Sequence, residues 1–479
     1  MTMKVLYVVS EAVPFVKSGG LGDVAGALPE AMTKEGAEVS VVLPLYQDIP
    51  QELKDKLSFC KEVWVPLAWR TQYCGIFSLQ LGSVTYYLLD NLYYFGRKGL
   101  YGYYDDAERF AFFSRAVLEA LPYMGSIPDI VCCNDWQTGM LPFFLNRFYR
   151  AEREEYQKIR VVYTIHNIQY QGSYSPDITE DVLGLNWGDY AGGAIRLGDS
   201  VNFMKTGITS ASWVTTVSPT YAREIQTPEY GYGMDGVLRD CHEKLSGIIN
   251  GIDYTRYNPA LDPHLFYPYS AGDMENKAKD KAELQRLLGL PQKPQVPVLA
   301  IVSRLVDHKG MNLIASVFAQ LISEDIQLVV LGTGDWQYEE LFRRAAVDYP
   351  EKVSANILFD TDLAQKIYAG ADLLLMPSKS EPCGLAQMIA MRYGTVPVVR
   401  ETGGLRDTVS PFISWEGTGN GFTFAQYNAQ DMLYVIRQAL QIYKEPEQWK
   451  KVQENGMQTD FSWTQPAKEY RKVFEKLLP

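Results

Sequence analysis

The sequence predicts an α/β protein built from two doubly wound domains with parallel sheets. Short apolar runs rich in β-formers alternate with helical patterns along most of the 479 residues, and that alternation with short loops marks parallel sheets. The runs fall into two series, about 1–250 and 255–455, separated by an irregular, proline-containing stretch at 254–282, and a chain of this length is expected to divide into two domains. Most runs end in polar or glycine-rich turns, at the strand C-termini where open α/β sheets hold ligands.

In the first series, residues 4–9 form a β-rich run and 10–22 a loop ending in Lys17-Ser18-Gly19-Gly20-Leu21-Gly22-Asp23. A helical pattern covers 24–34 and a second strand 38–43. This opening turn is neither G-x-G-x-x-G nor a Walker loop. It still has the physics of an anion site: Gly19 and Gly20 allow close backbone approach, helix N-terminal amides point outward, and Lys17 adds positive charge. Several β-rich runs occupy 57–87. Residues 91–104 (NLYYFGRKGLYGYY) form an aromatic, glycine-rich loop, and long loops often lie beside sites. An amphipathic helix is expected at 106–121. A buried strand at 129–133 ends in Asn134-Asp135-Trp136, a helix follows at 137–150, and a strand at 160–165 ends in His166-Asn167. Lys17, Asp135 and His166 therefore follow three strands at one sheet edge. Taken singly each reads as structural; together they form a constellation. Strands at 213–217 and 246–249 follow, the second ending in Asn250-Gly251.

The second series opens with a strand at 298–302, then Ser303-Arg304 and Asp307-His308-Lys309-Gly310 before a helix at 311–322. The strand at 327–331 ends in Gly332-Thr333-Gly334-Asp335. Residues 356–359 precede a short helix at 363–369. The most informative stretch is 371–407. It reads as a buried strand (371–376), a polar loop carrying Glu381, a helix (385–393), a second strand (395–399) and the turn Thr402-Gly403-Gly404-Leu405. Glu381 and the backbone amides of Cys383, Gly384 and Leu385 sit where a ligand would be held. Arg304 and Lys309, five residues apart, suit a diphosphate: guanidinium engages phosphate through its planar fork and the ammonium adds a point charge. A solvated carboxylate or surface charge pair is the plainer alternative at each position. The last segment, 463–478, is helical and lies outside the second sheet's pattern.

Composition limits the function classes. A 47% hydrophobic, 21% charged chain is ordinary for a soluble globular protein. A formal net charge of −12 argues against non-specific nucleic-acid binding, which needs a basic face. The six cysteines (Cys60, Cys74, Cys132, Cys133, Cys241 and Cys383) show no CxxC spacing and read as reduced thiols of a cytoplasmic protein. The four histidines have no metal-ligand spacing, so no metal is expected. Neither a leader pattern nor a long apolar span is seen, so no membrane association is expected.

Taken in order, these motifs carry a resemblance. K-S-G-G-L-G-D-V, N-D-W-Q-T, T-I-H-N-I-Q-Y-Q-G, N-G-I-D, V-S-R-L-x-x-x-K-G, L-G-T-G-D and S-E-P-C-G-L together resemble the bacterial glycogen synthases and the related plant starch synthases, over essentially the whole chain. Ser18 stands where that family usually has Thr. The resemblance implies a GT-B architecture, two Rossmann-like domains facing a central cleft. It implies an acceptor (glucan) domain at 1–250, a nucleotide-sugar domain at 251–456 and a C-terminal helix at 457–479 crossing back to the first domain. The implied reaction is retaining, metal-independent transfer of glucose from ADP-glucose to the non-reducing end of an α-1,4-glucan, with no cofactor. The implied catalytic residues are His166, Glu381, Asp135, Arg304 and Lys309. Lys17, Arg304 and Lys309 would hold the diphosphate, with Gly19, Gly20, Asp23 and Gly334 in the glycine-rich turns beside it. His166, flanked by Asn167, would lie against the transferred glucose. Asp135 and Asn250 would serve the sugar subsite or acceptor side. Glu381, with the backbone of Cys383, Gly384 and Leu385, would bind glucose hydroxyls. Phe359 falls where the family often stacks a Tyr on adenine. Tyr93, Tyr94 and Arg97 match an aromatic loop near donor and acceptor. Many GT-B enzymes carry a second Glu seven residues after the first; here that position is Met388.

Three other readings stay in view. One is a GT-B transferase using UDP- or GDP-sugar, which K-S-G-G-L and E-P-C-G-L disfavour. Another is a glucan-binding protein without turnover, which has no need of diphosphate cations. The third is a phosphorylase, which requires a Schiff-base lysine for pyridoxal phosphate whose motif is not found.

Overall fold

A computed structural model describes residues 2–478. The chain forms two units: one runs through Gly251 and is rejoined by the chain from Trp463 onward, and the other is Ile252–Ser462.

The first unit contains strands β1 (Lys4–Val8), β2 (Glu38–Pro44), β3 (Ser58–Leu67), β4 (Arg70–Leu81), β5 (Val84–Asp90), β6 (Ile130–Asn134), β7 (Arg160–Ile165), β8 (Ser173–Tyr174), β9 (Arg196–Leu197), β10 (Ser200–Asn202), β11 (Trp213–Thr216) and β12 (Leu245–Gly247). Nine of them make one sheet in the order β12-β11-β7-β6-β1-β2-β5-β4-β3, and β8, β10 and β9 make a small separate one. From β12 to β5 all pairings are parallel. The runs are apolar throughout because helices cover both faces; Val5 to Val8, Ile130 to Cys133 and Val161 to Ile165 are all buried. The chain winds outward from β1 in one direction to β2 and β5, then returns to β6 on the other side. The sheet's topological switch point is therefore between β1 and β6, with the loops after these strands at its mouth.

β3 and β4 depart from the expected parallel pattern. They pair antiparallel with each other, and β4 pairs antiparallel with β5. The links between these strands, residues 68–69 and 82–83, are two residues long, too short for a parallel crossover. Ala68 and Gly82 take the positive φ that such hairpins require.

The single helix expected at 137–150 is instead broken. A 3-10 turn at Trp136–Thr138 precedes an α-helix at Met140–Phe144 and a π-turn at Leu145–Tyr149. Gly139 lies so close to the Phe203 carbonyl that an added Cβ would fall 2.1 Å from its oxygen, and Pro142 has no amide to donate. The helix expected at 24–34 begins earlier, at Gly20 (Gly20–Lys34), so the glycine-rich motif forms its first turn.

The C-terminal helix, Thr464–Leu477, packs on Gly20–Lys34. Its apolar stripe buries Ala467, Tyr470 and Phe474. Arg471 donates to the Glu35 carbonyl at 2.6 Å, Arg160 donates to the Leu477 carbonyl at 3.3 Å, and the Lys476 ammonium lies 4.0 Å from the Trp213 ring centre.

The second unit has one parallel six-stranded sheet. Its strands are β13 (Val298–Val302), β14 (Gln327–Leu331), β15 (Val353–Asn356), β16 (Leu373–Met376), β17 (Val396–Arg400) and β18 (Phe422–Phe424), ordered β15-β14-β13-β16-β17-β18. The switch point is between β13 and β16. The irregular stretch expected at 254–282 ends sooner, because Glu275–Leu287 is a helix. β15 ends at Asn356, leaving Phe359 in the following loop.

Phe474→Ala removes a ring that is 1% exposed. It should destabilise the first unit by about 3–5 kcal/mol, read as a lowered thermal midpoint. An unchanged midpoint would show that this helix is not part of the first unit's core.

Candidate functional site

In the second unit the switch point brings together the loops after β13 and β16. The Lys309 ammonium contacts both carboxylate oxygens of Glu381, at 2.8 and 2.6 Å, and Ser378 donates to the same carboxylate at 2.9 Å. The Glu381 side chain is only 8% exposed. Backbone contacts fix the two loops to each other: the Lys379 amide donates to the His308 carbonyl at 2.9 Å. Gly310, at φ 81°, packs so tightly that a Cβ would lie 2.1 Å from the Pro377 oxygen. Arg304 is exposed at the end of β13, with His308 accepting from its guanidinium at 3.3 Å. Partial burial, then the charges of Lys309 and Arg304, hold His308 below its usual pKa, so it stays a neutral acceptor. Glu381 also anchors the third loop, after β17: its carbonyl accepts the Gly404 amide at 3.1 Å.

Gly384 takes the left-handed conformation, φ 73°, just before the helix Ala386–Arg392, which Gly384 and Leu385 lead into. Cys383 is buried and its carbonyl accepts from the Gln387 side chain. Met388 is fully buried and reaches no site. The Gly334 amide, offered by the sequence to a phosphate, donates to the Glu339 carboxylate at 2.9 Å. Phe359 is 82% exposed beyond β15, its ring open to a stacking partner.

In the first unit the switch point carries the loops after β1 and β6. Lys17 is paired with Asp23 at 3.0 Å, both partly exposed. Gly19 caps the helix Gly20–Lys34, and the amides of Ser18 and Gly19 donate to Glu11 rather than facing outward. Glu11 is 3% exposed, and burial raises its pKa against the pull of those amides.

Asp135 sits just past β6 at φ 54°, a strained value for this residue type. Its carboxylate accepts the His166 amide at 2.7 Å and that of Asn167 at 3.4 Å, tying the end of β6 to the end of β7. Burial pushes Asp135 up to about 7, opposed by those two amides and helped by the charge of Glu11. The His166 imidazole contacts the Asn134 amide oxygen at 2.8 Å, and burial pushes its pKa down to about 3. It is a neutral ring at physiological pH. The Asn167 side chain closes a local turn on the Gln169 amide. Asn250 is buried, and its amide oxygen has no partner among the described residues.

The 91–104 loop separates its aromatic residues. Tyr93 is exposed. Arg97 stacks on Tyr93 and Tyr103 and is held by both Asp105 oxygens at 2.7 and 2.8 Å. Tyr94, expected to touch substrate, is fully buried: its ring packs on Phe95 and Phe112 and its hydroxyl bonds to Glu108. It supports the loop from beneath. The sequence does not single out Glu11, Asn134, Glu339 or Ser378. Their shared signal is a polar residue at or just beyond the end of an apolar run, or in the turn that follows.

Comparison with known proteins places these residues in context. Residues 4–240 match the family model described as the starch synthase catalytic domain, and residues 288–455 the one described as glycosyl transferases group 1. The chain is 49% identical over 476 residues to a glycogen synthase of Desulforamulus reducens, covering 99% of each chain. It is 50% identical over 476 residues to a glycogen synthase of Geobacillus stearothermophilus, covering 99% of this chain and 98% of the relative. The catalytic domain of starch synthase IV from Arabidopsis thaliana, bound to ADP and acarbose, superposes with a TM-score of 0.91 at 32% identity, over 100% of this chain and 99% of that one. A sucrose-phosphate synthase from Thermosynechococcus elongatus shares the fold, with a TM-score of 0.61 at 16% identity over 99% of both chains.

The two shifted groups act on stability with opposite sign. His166 has its folded pKa below the unfolded value of about 6.5, so its contribution is lost as pH falls below about 6.5, by about 1.4 kcal/mol per pH unit. Asp135 has its folded pKa raised to about 7, so protonation favours the folded state as pH falls from about 7 towards 4, by a similar amount. The wild-type slopes should largely cancel across about pH 4–6.5. Asp135→Asn should expose the His166 loss, and His166→Gln should expose the Asp135 gain. Thermal midpoints measured across this range, with no change of slope in either variant, would contradict the burial assigned to both groups.

Proposed function

The chain belongs to the family of bacterial glycogen synthases and plant starch synthases, and we propose that it transfers glucose from ADP-glucose, with retention, to the non-reducing end of an α-1,4-glucan, releasing ADP. Its two doubly wound units are those of a GT-B glycosyltransferase. The observation that carries the reading is the group Arg304, Lys309 and Glu381, gathered at the switch point between β13 and β16 in a chain half identical to glycogen synthases along its whole length. That starch synthase IV of Arabidopsis holds ADP supports adenosine diphosphate as the leaving group.

In this reading the second unit takes the nucleotide sugar and the first the glucan. Arg304 and Lys309, with Lys17, neutralise the diphosphate as the bond from glucose C1 to the phosphate oxygen breaks, so fixed positive charge meets charge that grows in the transition state. The acceptor 4-hydroxyl bonds to C1 on the face the phosphate leaves, and its proton passes to the departing phosphate oxygen. Retention then needs no pair of carboxylates set at glycosidase spacing. Glu381 and the backbone from Cys383 to Leu385 hold glucose hydroxyls. Neutral His166 hydrogen-bonds the transferred glucose without adding charge where positive charge develops. Asp135 positions His166 through its amide. Phe359 stacks on the base, and a phenyl ring suffices for that. Orientation of donor and acceptor supplies the rest of the acceleration. A cytoplasmic location fits six free thiols.

Purified chain incubated with glycogen and labelled ADP-glucose or UDP-glucose should incorporate label from ADP-glucose. Incorporation from UDP-glucose alone would overturn the donor. Glycogen binding with no incorporation from either would overturn the enzymatic reading. Arg304→Ala should lower kcat by about 10²-fold or more. A folded variant turning over at the wild-type rate would remove Arg304 from the diphosphate site.

A further inference from the structure

Asn134 is the last residue of β6 and is fully buried. Its side-chain amide nitrogen faces two backbone carbonyls, that of Val8 on β1 at 2.9 Å and that of Cys132 at 3.4 Å. Both are acceptors, so the NH2 end of the amide must point at them and the oxygen must point the other way. That oxygen lies 2.8 Å from His166 Nε2. An amide oxygen can only accept, so Nε2 must carry the proton. Since the ring is neutral, Nδ1 is then left with a lone pair.

We infer that Asn134 is a positioning residue that fixes the tautomer of His166, anchoring Nε2–H so that Nδ1 presents a hydrogen-bond acceptor to a hydroxyl of the bound sugar. The chain of control runs from the β1 backbone through the Asn134 amide to the imidazole, across the first unit's switch point. A His166 free to flip or exchange tautomers would spend part of its time offering a donor where an acceptor is needed. The backbone is held separately, through Asp135, so Asn134 governs proton position and Asp135 governs ring placement. The kinetic part of this inference rests on the proposed role of His166; the tautomer does not.

The titratable groups around this point are Asp135, which takes the His166 amide, Glu11, which acts on Asp135 through its charge, and the buried hydroxyls of Tyr7, Tyr101, Tyr163 and Tyr221. The tyrosines stay neutral. Asp135 titrates near neutrality and is separable by Asp135→Asn.

The test is a long-range 1H–15N correlation spectrum of histidine side chains in the full-length protein. Only four histidines are present, and His166 is assigned by its loss in His166→Gln. The wild type should show His166 protonated at Nε2 and bare at Nδ1, without titration from pH 8 to pH 5. Asn134→Asp keeps the size and the acceptor but adds a charge. It should turn His166 into an imidazolium that titrates within this range, lower kcat about tenfold at pH 7, and give the pH–rate profile a new acidic limb. A variant disturbed only in packing would lose rate without that limb. A wild-type ring protonated at Nδ1 overturns the assignment even if Asn134→Asp does not fold. An altered His166 titration with wild-type kcat and an unchanged profile overturns the catalytic consequence while leaving the ADP-glucose reading intact. If the donor assay fails, the wild-type spectrum still decides the tautomer.

Discussion

A hydrogen-bond donor or cation taken out of water must find a partner, and in this chain carboxylates fill that need at four places in the polar strand-end turns. Glu381 holds Lys309, Glu11 holds the amides of Ser18 and Gly19, Glu339 holds the Gly334 amide, and Asp23 holds Lys17. Of the groups held in this way, Lys17, Gly19, Gly334 and Lys309 are ones the proposed reaction gives to the donor diphosphate and the turns beside it. The loops are thereby pre-formed, the position of each charge being fixed by side chains of the same chain. Arg304 is the contrast, exposed and donating to the neutral His308. Donor binding in the proposed reaction therefore exchanges one anionic partner for another. It does not pull unpaired cations out of bulk water, so less of the binding energy goes into ordering the site.

Two sheets with the same winding rule produce this arrangement. In each, the chain leaves the central strand in one direction and comes back on its other side, opening a crevice between β1 and β6 or between β13 and β16. Lys309 and Glu381 come from opposite walls of the second crevice. Glu11 and Asp135 come from opposite walls of the first, close enough that the negative charge of Glu11 helps to raise the pKa of Asp135. Apolar strands of four to seven residues end there because polar residues take over at the sheet edge, so the chemistry and the fold are written by the same change in the sequence.

That change explains what was legible. The strands Arg160–Ile165, Val298–Val302 and Gln327–Leu331 lie where their apolar runs place them, since a fully buried parallel strand has no polar residue to blur its ends. Lys309 and Glu381 were legible as strand-end residues; that they touch was not, because pairing depends on which strands are neighbours. The antiparallel β3–β4–β5 edge was not foreseen because strand composition does not encode direction; the two-residue links do. The broken helix after Asp135 escaped notice because its cause, the approach of Gly139 to Phe203, lies 64 residues away in sequence. Tyr94 shows the limit of a motif. Its neighbour Tyr93 is exposed while Tyr94 is core, and only the packing of Phe95 and Phe112 decides which ring turns inward.

The central claim is that Lys309 is held by Glu381 in readiness for a diphosphate, and the most direct measurement is ADP binding by calorimetry. Lys309→Met, which keeps the stem and removes the charge, is compared with the wild type at one fixed ionic strength. The account predicts a Kd for ADP weakened at least tenfold, about 1.4 kcal/mol, in a variant with wild-type secondary structure by circular dichroism. An ADP affinity unchanged by the substitution would contradict it and leave the Lys309–Glu381 pair as a structural clamp alone.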